Sequence, residues 1–320
     1  MKFKILISLL AVIAVAGCTI PGIPGITPGT LIGGGQGLEI ISFTVEPDTV
    51  YNGSTVKVSM DVQNLGGTTA FNDTSFAYLA NIDVTSSDNN VWHRIDSDTT
   101  TTECIRFGRD MKPADAVKGT SGDEKTIKWA LRAPDVTSGQ SVSSSFMGRV
   151  YTDYETAVNG NIWIYSETEY DAAKSSNRAL NKATFTPTSG PVAVVVSVSP
   201  DPFIVYGSDN QLTLNIKISN NGAGSIYKPG KSSVCPPTVS SDDLNEVSVT
   251  IRAPNFGISS DCQTGETNTT TQSLMSGKPT TVTCTLSAPT VTTLQSYPIN
   301  VKVDYGYYTE KTATVTVQGK

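Results

Sequence analysis

Apolar and polar residues alternate along much of the chain with a period of two. Val56, Val58, Met60 and Val62 alternate with Lys57, Ser59, Asp61 and Gln63. Further on, Leu212, Leu214, Ile216 and Ile218 alternate with Thr213, Asn215, Lys217 and Ser219. This period puts one face of a strand in a core and the other in water. Each strand runs into a turn, Asn64-Leu65-Gly66-Gly67 and Asn220-Asn221-Gly222-Ala223. Ile127, Trp129 and Leu131 before Ala133-Pro134 match Val282, Cys284 and Leu286 before Ala288-Pro289. Strands are then expected over 142–154 and 297–308, with separate terminal strands over 162–168 and 312–317. A helix is expected nowhere except as a short one within 170–183.

These matches form a diverged internal repeat, offset by about 155 residues. Its copies open at Glu46-Pro47-Asp48-Thr49-Val50-Tyr51 and Asp201-Pro202-Phe203-Ile204-Val205-Tyr206. Short alternating strands with Gly, Pro and Asn turns predict an all-β fold of two tandem immunoglobulin-like β-sandwich domains, at 38–190 and 191–320. Long loops are expected at 85–124, 224–245 and 255–278. The opening of the first copy through Asn52-Gly53, with the strand ending Asn64-Leu65-Gly66, resembles the CARDB-like (cell-adhesion-related) immunoglobulin-like domains of archaeal and bacterial surface proteins. The second copy keeps the Pro and Gly with one residue fewer between them. The resemblance implies a spacer, adhesive or assembly module and carries no shared active site.

The N-terminus changes the picture of where the chain works. Lys2 and Lys4 precede an apolar stretch, Ile5 to Val15, broken only by Ser8. That stretch is too short to span a bilayer but suits a signal peptide at 1–17. Val15-Ala16-Gly17-Cys18 resembles the lipobox of prokaryotic lipoproteins, which implies lipidation of Cys18 and cleavage before it. Residues 18–37 then read as a flexible linker, with Ile-Pro-Gly twice and Gly33-Gly34-Gly35-Gln36-Gly37. A bolder reading makes its isoleucines a donor strand for another subunit. The expected location is extracytoplasmic, at a membrane-anchored cell surface.

Charge narrows the partners. The net charge is −6 and charged residues make up 16% of the chain. Nucleic acid needs concentrated Lys and Arg, which are missing here. The expected partners are the membrane, through the lipid, and a protein or glycan at the surface. Asn52, Asn72 and Asn268 open N-glycosylation sequons, candidates only in a chain so rich in Asn, Ser and Thr. His93 is the one histidine, which removes His-rich zinc sites and leaves a triad a single candidate base. It reads as a loop residue beside Trp92.

Besides Cys18 there are four cysteines, an even number that suggests disulfides outside the cytoplasm. Cys262–Cys284 is the first choice, because Cys284 alternates with core residues and Cys262 lies in the loop leading to it. Cys104 and Cys235 are then free or joined across the domain boundary. No cofactor is implied; Asp96/Asp98, Asp123/Glu124 and Asp242/Asp243 are acidic loop pairs for a structural Ca²⁺, without EF-hand spacing. Gly119-Thr120-Ser121-Gly122-Asp123 lacks the pattern of a nucleophile elbow. In Ile162-Trp163-Ile164-Tyr165, alternation puts Trp163 and Tyr165 together on one face, a candidate ligand platform. No acid, base and nucleophile are visibly assembled. The expectation is a non-enzymatic surface lipoprotein with a structural, adhesive or partner-binding role; the alternatives are a glycan-binding module and a subunit of a fibre or coat built by strand addition.

Overall fold

The alternating segments form strands that assemble into three sheets. The computed structural model describes residues 36–82, 91–95, 103–115, 118–207, 210–235, 237–259, 262, 269–274 and 278–320. Cys18, most of the 18–37 linker and Asn268 lie outside the described residues. Everything described belongs to one compact unit.

In chain order the first repeat gives β1 (Leu38–Glu46), β2 (Thr49–Tyr51), β3 (Thr55–Asn64), β4 (Phe76–Ala80), β5 (His93–Arg94), β6 (Cys104–Arg106), β7 (Glu124–Arg132) and β8 (Ser141–Ser166). A helix, α1 (Glu167–Ser175), and β9 (Thr184–Pro187) follow. The second repeat gives β10 (Val192–Ser199), β11 (Phe203–Val205), β12 (Gln211–Asn220), β13 (Ser225–Tyr227), β14 (Glu246–Arg252), β15 (Gly257–Ile258), β16 (Thr269–Ser273), β17 (Thr280–Ser287) and β18 (Gln295–Gln318). Two four-stranded sheets, β1-β3-β7-β5 and β10-β12-β17-β15, correspond strand for strand. The third sheet has ten strands and belongs to both repeats, with β16-β14-β18-β8-β4-β6 as its main path.

The expected strands at 142–154 and 162–168 are one strand, and so are those at 297–308 and 312–317. The gap expected between the first two, including Asn159-Gly160, lies inside β8. Gly160 is there for close approach: a Cβ would fall 2.3 Å from Phe185 Cδ1 and 2.5 Å from the Thr184 carbonyl of neighbouring β9. The expected short helix begins earlier, at Glu167, because the Ser166 hydroxyl accepts from the Glu169 N–H and caps it. The loops expected at 85–124, 224–245 and 255–278 carry β5, β6, β13, β15 and β16, each five residues or fewer.

β8 and β18 pair antiparallel along all 24 residues of β18, from Gln295 opposite Ile164 to Gln318 opposite Ser141. Even-numbered residues of β8 and odd-numbered residues of β18 therefore share one face, and both four-stranded sheets pack against it. Under β1-β3-β7 the core holds Val58, Met60, Trp129, Phe146 and Val150, but also Val315 and Val317 from the far end of the second repeat. Under β10-β12-β17 it holds Leu214, Ile216, Val301 and Val303, but also Val158, Ile162 and Ile164 from the first. Each lobe is completed by the other's last strand. The exchange is reciprocal at the tips: β2 adds in parallel to residues 316–318, and β11 adds in parallel to residues 164–166.

The turns after β3 and β12 repeat one device. The Asn64 carboxamide accepts from the Gly66 N–H at 3.0 Å and donates to the Thr68 carbonyl at 2.9 Å. Asn220 does the same with Gly222 at 3.1 Å and Gly224 at 2.9 Å. The Tyr154 hydroxyl meets the first turn, and the Tyr307 hydroxyl accepts from the Gly224 N–H at 2.8 Å in the second. Gly66 has no side chain because a Cβ would sit 1.6 Å from Tyr154 Oη. Gly66→Ala is expected to destabilise the fold by about 1–3 kcal/mol. Gly257→Ala, where a Cβ stays at least 3.3 Å from Ser287, should change it by less than about 0.5 kcal/mol. Urea unfolding of the two variants checks the difference.

Candidate functional site

The seam between the lobes gathers most of the molecule's unusual side chains. Where β8 and β18 cross its middle, Tyr154 lies opposite Tyr305, Thr152 opposite Tyr307, and Tyr151 opposite Tyr308. On the core face, the Thr156 hydroxyl bonds the Tyr305 hydroxyl at 3.0 Å and donates to the Val192 carbonyl at 3.0 Å. Burial raises the Tyr305 and Tyr307 hydroxyls above the ordinary tyrosine range. The Tyr307 hydroxyl donates to Glu39 at 3.3 Å, and burial lifts that carboxyl too. Gly37 enters against Pro191 and Tyr307, so the N-terminal segment joins the fold at the seam.

The opposite face carries a smaller apolar cluster of Phe76, Tyr151, Tyr227 and Cys104. Phe76 stacks on Tyr151 at 5.4 Å, and Tyr151 lies 5.2 Å from Tyr308. Tyr227 rests on Gly306, where a Cβ would fall 2.0 Å from its ring. A Cys104–Cys235 disulfide closes the cluster and joins β6 of the first repeat to the chain after β13 of the second. The second disulfide, Cys262–Cys284, lies within the second lobe.

Beside this cluster is a cavity of about 500 Å³, lined by Phe71, Asp73, Asp153, Tyr154, Glu155 and Asp304 among others. Phe71 is 56% exposed at its rim. Asp153 accepts from the Ser232 hydroxyl and from the Gly230 N–H at 3.2 Å. Desolvation nevertheless raises its carboxyl, reinforced by Asp73 and Asp304 and opposed by those two hydrogen bonds. Asp304 is raised likewise by desolvation, against the pull of Lys302, which bridges it and Glu155 at 3.0 Å each. The cavity thus offers an apolar edge and a surplus of negative charge. It suits a cationic or polyhydroxy group better than an anion. Among the described residues, no group of three or more His, Cys, Asp or Glu is placed to hold a metal ion.

The residues singled out in the sequence are scattered. Trp163 is half-buried and Tyr165 is buried, so the two do not lie open side by side. After α1 the chain returns over that face: the Asn181 N–H donates to Tyr165 Oη at 2.7 Å, and Tyr170 meets its ring edge-on at 6.3 Å. Asn52 accepts from the Lys320 N–H at 3.2 Å. The Asn72 N–H donates to Asp110 at 2.9 Å. Trp92 is buried edge-on against Phe146 at 4.9 Å, and His93 lies in β5. Asp123 accepts from the Lys112 N–H. Asp243 closes a capping box with Ser240, whose hydrogen bonds lower its carboxyl to about 2, and pairs with Lys231 at 3.0 Å. The seam tyrosines follow no motif; their signal in the sequence is Tyr151-Thr-Asp-Tyr154 and Tyr305-Gly-Tyr-Tyr308 at similar places in the two copies, and the acidic rim has none.

No protein-family model matches the chain. No curated protein matches it either. Among solved structures, it is similar at 8% identity to the secreted serine protease VesC from Vibrio cholerae, over 87% of this chain and 50% of that one, with a TM-score of 0.19. It is similar at 9% identity to the Enterococcus faecalis MSCRAMM ACE, which binds its ligands by the collagen Hug model, over 88% and 95% with a TM-score of 0.15. An E. coli alpha-2-macroglobulin matches at 8% over 89% and 17%, with a TM-score of 0.18. The chain thus spans half of the first protein and about a sixth of the third. At such scores the likenesses carry no argument for this chain.

Two outcomes follow from the seam. Cys104 and Cys235 are 131 residues apart, and the loop-entropy relation gives about 5 kcal/mol for closing so long a loop. The double change Cys104→Ser with Cys235→Ser should therefore lower stability by about 2–5 kcal/mol, read from the urea midpoint. For Asp153 the folded carboxyl is raised above its ordinary 3.8, so the folded state holds this proton more tightly. Its contribution is fully present below that value and is lost as pH rises through the folded one. Asp153→Asn removes this loss. Its stability relative to the parent should rise between about pH 4 and 7, measured as urea midpoints at both ends.

Proposed function

We propose that the chain is a non-enzymatic cell-surface lipoprotein whose two immunoglobulin-like β-sandwich lobes act as one stiff structural, adhesive or partner-binding module. The observation that carries this reading is the ten-stranded sheet built from both repeats. A flexible pair of domains would be joined by a short exposed linker with few contacts. Here the lobes share two strands, exchange core residues and are cross-linked by Cys104–Cys235. That construction resists bending and pulling and presents fixed surfaces.

The location rests on Lys2, Lys4, the apolar stretch and Cys18, supported by two disulfides of a kind that persist in oxidising compartments. With Gly37 at the seam, a lipid-bound tether holds the module by its middle and leaves the far ends of both lobes free. The acidic cavity with Phe71 at its rim is a surface such a module offers a partner. The glycan reading loses its platform with Tyr165 buried.

The test expresses the full chain in a prokaryotic host that processes lipoproteins and follows it by fractionation and mass spectrometry. The parent should stay with the membrane and carry acyl chains on Cys18, and Cys18→Ala should release it to the soluble fraction. A Cys18→Ala chain that stays bound to the membrane sinks the anchor reading.

A further inference from the structure

Open sheet edges expose rows of unpaired N–H and C=O groups, and soluble proteins shorten, bend, charge or cover them. Among the described residues most edges here are short: β5 and β15 have two residues, β6 three and β16 five. Of the outermost strands of the two four-stranded sheets, β1 and β10 are the long ones, and as equivalents in the two repeats each is a control for the other.

β1 is protected. Its register with β3 breaks between Ile40 and Ser42, a bulge that spoils regular addition. It carries Glu39 and Glu46. Its free carbonyls are taken by side chains of β18: Thr309 donates to Leu38 O at 3.3 Å, and Lys311 donates to Ile41 O at 3.0 Å.

β10 keeps the first of these devices, and β9 lies near it without pairing to it. Thr156 donates to Val192 O, the counterpart of Thr309 on Leu38. Beyond that point Ala193 stands where β1 has Glu39, and buried Val158 of β8 stands where β18 has Lys311. The register with β12 runs unbroken from Val192 to Ser199. The sequence Val-Ala-Val-Val-Val-Ser-Val-Ser has no charge and no proline, and Val195 is 46% exposed. No strand among the described residues pairs with its outer edge.

We infer that β10 pairs edge to edge with β10 of a second copy, joining two four-stranded sheets into one of eight strands. The strand is self-complementary. Centred on Val196, an antiparallel pair sets Val194 against Val198 on the core side. On the outer side it sets exposed Val195 against exposed Ser197, and buried Ala193 against exposed Ser199, all uncharged. No like charges meet across the twofold axis, which is the usual obstacle to self-pairing. The inference does not depend on the lipid anchor or on an adhesive role.

The test is sedimentation equilibrium of the full chain in nonionic detergent, beside Val195→Lys and Ile41→Lys. Both substituted side chains point to solvent, and each puts a charge on one long edge. The parent and Ile41→Lys should dimerise reversibly with the same affinity. Val195→Lys should dimerise at least about tenfold more weakly, equivalent to about 1.4 kcal/mol. Parallel hydrogen exchange on the unsubstituted chain should show amides 193–199 slowing as concentration rises while those of 38–46 do not. A parent that stays monomeric at every concentration overturns the inference, as does Val195→Lys dimerising like the parent. If Val195→Lys loses its cooperative melting, the exchange measurement decides.

Discussion

The ladder between β8 and β18 is the interaction on which the other parts rest. A single backbone hydrogen bond contributes only about 0.5–1.5 kcal/mol net, but this ladder extends over 24 residues of β18, roughly 80 Å of strand. More consequential is what the two strands carry into each core. Val315 and Val317 close the first core, and Val158, Ile162 and Ile164 close the second. Separating the lobes would expose both cores at once. Their independence is therefore limited by apolar burial, at about 25 cal/mol per Å², rather than by any linker.

That arrangement explains why the seam is dense in tyrosine and glycine. The middle of a long two-strand ribbon is covered by neither four-stranded sheet alone, so it needs large side chains that bury area and still satisfy a polar end. Tyr154 and Tyr307 do this by reaching the turns after β3 and β12, and Tyr305 by bonding Thr156. Glycine takes the complementary positions. At Gly66, Gly222 and Gly306 a tyrosine occupies the space a side chain would need. On the other face the same ribbon supports Tyr151, Tyr227 and Tyr308, and the Cys104–Cys235 bond closes over them.

Much of this was legible from pattern. The alternation at Val56–Val62 and Leu212–Ile218 located β3 and β12, and the Ala-Pro pairs marked the ends of β7 and β17. Period-two alternation reports which face is buried, however, and not by what. It showed that Ile162 and Ile164 face a core, but not that the core belongs to the other repeat. The expected break between 154 and 162 is absent because β8 continues through it opposite β18, with Gly160 close against Phe185 of β9. Trp163 and Tyr165 share a face of β8, yet Tyr165 is hidden by the chain returning from α1. The acidic rim draws Asp73, Asp153 and Asp304 from distant segments, and no spacing rule brings such residues together.

The two repeats differ most where symmetry is not needed for stability. Asn64 and Asn220 make the same hydrogen bonds, and Thr156 and Thr309 the same carbonyl caps, at buried or half-buried backbone groups that would otherwise be left without partners. By contrast, the charge, bulge and lysine cap that guard β1 have no counterpart on β10. A stability requirement common to both edges would have kept them alike. Divergence at equivalent, solvent-facing positions therefore separates what the fold requires from what each lobe is free to use. On that criterion the edge of the second lobe is a place the fold leaves free to vary, while the paired cores and their turns are what the fold requires.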